Sequence, residues 1–317
     1  MENNVNLEKC DIEKVKEVLD IFITTYNRCD KLAKTLDYFA NSPFCICSIT
    51  IFNNASSDDT LDMINSKKEL FADLKVVTHP INIGGDANII RTVEYCTKEY
   101  MWIVHDDDNF DFSDCQDLMQ ILCEGTVGLI HVGAHVEPIR SKFAGKSGKI
   151  KNFISCGYPY FKFSSFTPCN IFKCKEFLPF VRAGHENIHN HYTIMPFLIS
   201  KFENNDLLYI TKKQICKASV GVQCYDDEFL VKSWYGTSFL FKYNRDRRSY
   251  FCEQFSNNTS LLHTTLNRFY QSFQCGSLQI FKMFYTYLNI REKILCIVLC
   301  FPYAFAKWTK QIYSKKC

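Results

Sequence analysis

Three carboxylates in a row, Asp106, Asp107 and Asp108, follow the apolar run "YMWIVH" at residues 100–105. Adjacent carboxylates repel one another, so they persist together only where solvent, hydrogen bonds or a cation offsets the repulsion. An acidic run in isolation is a solvated loop. At the end of a buried strand it is placed to hold a divalent cation and, through the cation, a polyphosphate. Asp106 and Asp108 form a D-x-D pair, and the Asp108 carboxylate is expected to face solvent and ligand rather than the core.

A second constellation lies about 80 residues further on, in "VRAGHENIHNHYTIMPFL", residues 181–198. Glu186 there has the chemistry of a general base, and Asp226 and Asp227 in "QCYDDEF" are the reserve candidates. The same stretch spells His185-Glu186-Asn187-Ile188-His189, the HExxH pattern of zinc peptidases. On a helix the two histidines would stand one turn apart and share a zinc while Glu186 activated water. Pro196 close behind, and Tyr192 where the extended pattern has glycine, argue against that zinc metallopeptidase alternative. Of the remaining histidines, His79 before Pro80 is expected to be structural. His105, beside the aspartates, is open between a charge-paired imidazole and a plain strand position.

These residues need elements to position them. Apolar, β-branched runs occur at 18–25, 47–54, 74–80 and 100–108, with starts about 27 residues apart, the length of a strand, a helix and two loops. Between them Leu32, Leu36 and Phe39 share a helix face after Asp30, a candidate N-cap. "DDTLDMINSKKEL" opens with acidic residues suited to a helix N-terminus, and "DANIIRTVEYC" repeats the apolar spacing. The alternation predicts an α/β fold with a mostly parallel sheet flanked by helices. In such sheets ligands bind beyond the carboxyl ends of the strands, and those ends read "TTYNR", "NNASSDDT", "HPINIGGDAN" and "HDDDN".

Composition excludes several classes. A formal net charge of +3 over 317 residues is too small for a dedicated nucleic-acid binder. "MENNVNLEKCDIEKVKEVLD" lacks a cationic start followed by an apolar run, so no secretory signal is expected and the 17 cysteines should be reduced. No cysteine pair has CxxC spacing, and Cys45 and Cys47 are too close for a zinc knuckle. "AGKSGK" at 144–149 has the end of a P-loop, but Arg140 occupies the position of its first glycine.

Taken in order, "FITTYNR", "IFNNASSDDT", "NIGGDANIIR" and "HDDDN" resemble the N-terminal half of an inverting family 2 glycosyltransferase with the GT-A fold, closely over about residues 18–135 and loosely beyond. The resemblance implies a Rossmann-like catalytic domain over 1–228, with a nucleotide-sugar half at about 18–135 and an acceptor and base half at 136–228. It also implies a nucleoside diphosphate sugar donor, a UDP-sugar first, with Mn²⁺ or Mg²⁺, and inversion at the anomeric carbon. Carried over by position, Thr25, Tyr26, Asn27 and Arg28 meet the nucleotide. Asn53 stands where the family has an aspartate on base or ribose, and Ala55 replaces its glycine. Asp86 and Asn88 close over the nucleotide, unless they are turn and cap residues. Asp106 and Asp107 lie towards the ribose, Asp108 with Asp106 is on the metal, and Glu186 is the catalytic base. His263 is a possible further metal ligand. A non-catalytic nucleotide- or carbohydrate-binding module on the same fold is the other alternative.

Residues 229–317 read as a mainly helical region. "FLVKSWYGTSFLFKYNRDRRSYF" interleaves aromatics with Arg245, Arg247 and Arg248, which suits an acceptor groove, a diphosphate clamp or a solvated basic face. The tail has an apolar run of about 13 residues containing Pro302, too short to span a bilayer, and then Lys307, Trp308, Lys310, Tyr313, Lys315 and Lys316. That mix predicts peripheral binding at the cytoplasmic membrane face. It suits a lipid-linked saccharide acceptor in bacterial surface polysaccharide synthesis, and no nucleic-acid partner is expected.

Overall fold

The computed structural model describes residues 12–133, 140–219, 227–255, 260–275 and 277–314. The chain divides into two compact units, Met1–Gly221 and Val222–Cys317. In the first, strands β1 (Leu19–Thr25), β2 (Ser48–Asn53), β3 (Asp73–Thr78) and β4 (Tyr100–His105) are joined by helices Cys29–Ala40, Thr60–Lys67 and Gly85–Thr92. β5 (Asn109–Phe110), β6 (Leu129–His131), β7 (Lys146–Lys149), β8 (Asn170–Lys173), β9 (Leu207–Ile210) and β10 (Cys216–Lys217) follow. The main sheet has the order β3-β2-β1-β4-β8-β6-β9-β7, and β5 pairs with β10 separately.

β3, β2, β1 and β4 run parallel. β8 is antiparallel to both β4 and β6, β6 is parallel to β9, and β7 closes the far edge antiparallel to β9. β1 and β4 are buried almost throughout, as strands covered by helices on both faces must be. β3 is an edge strand and carries charged residues, Asp73 and Lys75, on its exposed positions. Trp102 on β4 packs against Phe39, Phe44, Phe110 and Phe112, and its Nε1–H donates to the Pro168 carbonyl at 2.8 Å. The indole thus buries its area without an orphaned donor.

All four N-terminal strands occur where the hydrophobic runs place them, with ends that agree within three residues. The predicted helix face Leu32, Leu36 and Phe39 is fully buried, with Thr35 beside it. Asp30 is not its cap: Arg28 occupies that position and Asp30 lies in the first turn, where its charge favours the dipole. "KSGK" of the P-loop-like stretch is edge strand β7, so its amides serve a sheet ladder rather than a phosphate.

The second unit is helical among its described residues: Asp227–Ser238, Asn244–Phe255, Leu261–Cys275, Gln279–Thr286 and Ile290–Ser314. Its core gathers Val231, Phe251, Phe269, Tyr270, Phe284 and Tyr287. The last helix runs through Pro302 and contributes Cys296, Cys300 and Ala304, spaced four apart, to that core. Its other face exposes Ile290, Ile294, Ile297, Val298, Phe301, Phe305 and Trp308. Among the described residues no helix is long and apolar enough to cross a membrane.

Arg245, Arg247 and Arg248 do not form a clamp. Arg248 makes a two-pronged pair with Glu292 at 2.9 and 3.1 Å, Arg247 donates to the Phe241 carbonyl at 3.0 Å, and Arg245 lies 3.5 Å from Asp246.

Candidate active site

Parallel pairing aligns the strand ends: Thr25 is opposite Asn53, Asn53 opposite Thr78, and Thr24 opposite His105. Every loop leaving β1, β2 and β4 therefore starts at the same edge. There the Thr25 Oγ1 hydroxyl donates to Asp106 Oδ2 at 2.7 Å. Arg28 Nη1 donates to Asp106 Oδ1 at 3.1 Å and to Asp107 Oδ2 at 3.0 Å. Lys31 reaches Asp107 at 3.2 Å, and the Thr35 hydroxyl donates to the Asp106 carbonyl at 3.0 Å. Two cations and the Thr25 hydroxyl thus offset the repulsion among the aspartates.

The β1 and β2 loops are stapled together. Asn27, at φ 49°, accepts at Oδ1 from the Ser57 amide (2.7 Å), and its own amide donates to Ser56 Oγ (2.9 Å). Asparagine tolerates the left-handed region better than most residues. Ala55 sits there too, at φ 62°, so the glycine expected by resemblance is replaced without a change of backbone path and at a steric cost. Tyr26 is exposed. Asn53 is buried; its Oδ1 accepts from the Ser56 amide at 3.0 Å, and its Nδ2 is buried with no partner.

Asp108 departs from expectation. Its carboxylate is buried, and burial followed by the neighbouring Asp107 charge pushes its pKa up to about 8. His105 Nδ1 lies 3.6 Å from Asp108 Oδ2, and burial holds its pKa down to about 4. One ligand atom each from His105, Asp107 and Asp108 falls within 4.8 Å of the others, the one such group among the described residues. Asp106, expected on the metal, instead gives both oxygens to Thr25 and Arg28. Among the described residues Asp108 Oδ2 is buried with no hydrogen-bond partner and faces His105 Nδ1, so the donor set fits a cation.

These two shifts contribute to the pH dependence of the metal-free protein. Between about pH 4 and 6.5 the folded state keeps a proton on Asp108 that the unfolded chain releases, while the unfolded chain protonates His105 and the folded state does not; the two effects oppose. Above 6.5 only Asp108 remains, and stability should fall with rising pH until about pH 8. Thermal melts in chelator should show that descent, and Asp108→Asn should flatten it.

The segment 181–194 packs on helix Gly85–Thr92. A Cβ at Gly184 would stand 2.5 Å from Ile90 Cδ1 and 2.7 Å from the Thr193 carbonyl, so glycine permits the approach. Asp86 Oδ2 meets His191 Nδ1 at 2.6 Å, a contact with no sequence signal beyond the histidine itself. Asn88 is buried: its Oδ1 lies 2.9 Å from His79 Nε2 and its Nδ2 donates to the Phe52 carbonyl at 3.1 Å, which makes it a brace behind β2. Glu186 ends rather than starts its short helix, Val181–Glu186, is 63% exposed, and pairs with Arg182 Nε at 2.9 Å. The helix that HExxH requires therefore stops inside the motif. His185 turns to Glu94 at 3.3 Å, and His189 lies in the following turn. His263, in the helical unit, contacts Asn267 and Tyr303 at 3.3 Å. Asp226 lies outside the described residues, and Asp227 is described only as the first residue of its helix.

Residues 20–176 match the family described as glycosyl transferase family 2. Among solved structures, TarS 1–349 from S. aureus in complex with UDP aligns with TM-score 0.64 at 12% identity, covering 95% of this chain and 92% of that one. Against the longer S. aureus TarS structure the TM-score is 0.61 at 14% identity, over 92% of this chain and 53% of that chain. The mannosyltransferase PcManGT from Pyrobaculum calidifontis, in complex with GDP-Man and Mn²⁺, gives 0.52 at 13% identity, over 98% and 95%. No curated protein matches by sequence.

Proposed function

Because residues 20–176 form a glycosyl transferase family 2 domain on a GT-A fold, we propose that this chain moves a sugar from a nucleoside diphosphate sugar to an acceptor hydroxyl with inversion. Support comes chiefly from one observation, the convergence of Thr25, Arg28, His105 and the aspartate triplet on one sheet edge. His105, Asp107 and Asp108 are the residues that would hold the cation. When bound, a dication neutralises charge developing on the departing diphosphate. Arg28, anchored by Asp106 and Asp107, places a positive charge at the edge where the phosphates would lie. Asn27, Asn53 and Tyr26 line the nucleoside side. UDP is the first donor base to test, since the TarS relative carries UDP. Asn53, an amide where the family has a carboxylate, is buried and holds the Ser56 amide through its Oδ1, so it shapes the loop on the nucleoside side.

Glu186 is the proposed base. It takes the proton from the acceptor hydroxyl as that oxygen attacks the anomeric carbon opposite the leaving nucleoside diphosphate, and a single displacement inverts the centre. The acceptor is a lipid-linked saccharide of bacterial surface polysaccharide, met at the cytoplasmic membrane face. Residues 222–317 carry 13 Lys and Arg against six Asp and Glu, and the exposed stripe Ile290, Ile294, Ile297, Phe301, Phe305 and Trp308 supplies apolar area for the interface.

Single-turnover assays with a panel of nucleotide sugars and a polyprenyl-diphosphate saccharide in anionic vesicles test this. One donor should be consumed with a dication present, and label should enter the lipid fraction with inverted configuration; if none is consumed but one protects against melting, the domain is a binding module. Deleting 291–317 would remove Cys296, Cys300 and Ala304 from the core, so substitution is the cleaner test. Ile297→Gln, Phe301→Gln and Phe305→Gln together should release the protein from vesicles and slow lipid transfer, while donor hydrolysis by water continues. Unchanged, salt-insensitive vesicle binding would remove the membrane assignment.

A further inference from the structure

We infer that the cation site of this chain is a mixed nitrogen and oxygen site, with the His105 imidazole as a ligand beside the Asp107 and Asp108 carboxylates, and that it favours a first-row transition dication over magnesium. This rests on the proposal that the strand-end carboxylates hold a cation, and goes beyond the D-x-D pair, which supplies oxygen alone.

Three observations lead to it. The pair Asp106 and Asp108 does not present a common ligand pocket, because both Asp106 oxygens accept hydrogen bonds from Thr25 and Arg28. The atoms that do converge, within 4.8 Å of one another, belong to His105, Asp107 and Asp108, and His105 Nδ1 stands 3.6 Å from Asp108 Oδ2, inside the span of about 4.2 Å across a cation with bonds of about 2.1 Å. Then there is an orphan. Asp108 is 4% exposed, and among the described residues its Oδ2 has no hydrogen-bond partner. That oxygen lies 3.6 Å from His105 Nδ1, so a cation held between the two atoms would satisfy it.

The imidazole is also prepared for the role. His105 is the last residue of β4, in register with Thr24, so its backbone is fixed by the sheet. The Phe166 ring holds the imidazole edge to face, with centroids 6.0 Å apart. Imidazole nitrogen suits cobalt, nickel, iron and zinc, and affinities at such sites rise from manganese towards copper, whereas magnesium prefers oxygen ligands and retains its waters.

The test uses the full chain, stripped of metal, with Mn²⁺, Co²⁺ and Mg²⁺ as separate probes and no sugar nucleotide. Calorimetric titration should show Co²⁺ and Mn²⁺ bound more tightly than Mg²⁺. His105→Gln should weaken Co²⁺ and Mn²⁺ by ten-fold or more while shifting Mg²⁺ less than three-fold. Pulsed electron paramagnetic resonance of the Mn²⁺ complex should show coupling to an imidazole nitrogen, lost in the variant. Equal weakening for all three ions, or no nitrogen coupling in the wild-type protein, overturns the inference. The wild-type spectrum decides the matter even if the variant fails to fold. Nitrogen coupling without turnover of any sugar nucleotide would leave the metal site standing and remove the transferase proposal.

Discussion

Asp108→Asn is expected to lower metal-dependent transfer by about 10³-fold, equivalent to about 4 kcal/mol of transition-state stabilisation, and to leave the fold intact. The loss follows from position: Asp108 is the buried carboxylate of the convergent group, and its Oδ2 has no hydrogen-bond partner among the described residues. The intact fold follows from the same burial. Ionising this group in the metal-free protein is costly, as its upward shift to about 8 records, so a neutral amide of equal shape relieves a strained charge. Melting without metal should therefore rise or hold at pH 8, while added Mn²⁺ should stabilise the wild-type protein and not the variant. Chelated wild-type protein should lose activity to the same degree. Undiminished turnover in chelator would sink the metal assignment.

The N-terminal architecture was legible because parallel strands buried on both faces leave continuous apolar runs, and the spacing of four such runs dictates β-helix-β units. Their polar ends had to share an edge once the strands were parallel, so Thr25, Arg28, Asn53 and the aspartates could be placed together from the chain alone. What could not be read is which way each side chain turns at that edge. Asp106 and Asp108 have identical chemistry and differ only in whether the turn after His105 aims them at Arg28 or at His105. The exposure expected of Asp108 failed for that reason. His105 was left open because a strand-end histidine and a ligand look alike until the neighbouring carboxylates are located. Asn88 has the composition of a nucleotide contact, yet its amide braces His79 and the Phe52 carbonyl, a long-range pairing that no local pattern encodes. HExxH misleads by assuming a helix: the chain leaves helical geometry after Glu186, and His191 takes φ 60°. In the second unit, aromatic and basic residues alternate without a fixed period, so the pairing of Arg248 with Glu292 was beyond sequence.

Glu186→Gln is expected to lower transfer by about 10²-fold while donor affinity stays within a factor of two, because the amide keeps the shape of the carboxylate and cannot accept the acceptor's proton. The substitution also frees Arg182, so Arg182→Gln is the required control: it breaks the same pair and should leave most of the rate. A base acting from Glu186 predicts that the acidic limb of the pH–rate profile disappears in the glutamine variant and persists in the arginine one. The competing arrangement is physical rather than abstract. His191, held at 2.6 Å by Asp86, is an imidazole oriented by a carboxylate, which is how a general base is commonly positioned. If Glu186→Gln retains its rate and its acidic limb while His191→Gln loses both, proton transfer belongs to the Asp86–His191 pair. The exposure of Glu186 makes the outcome informative in either direction: a carboxylate 63% open to water in the absence of acceptor must be covered by the acceptor to work as a base, so its effect should appear in transfer and vanish in donor hydrolysis.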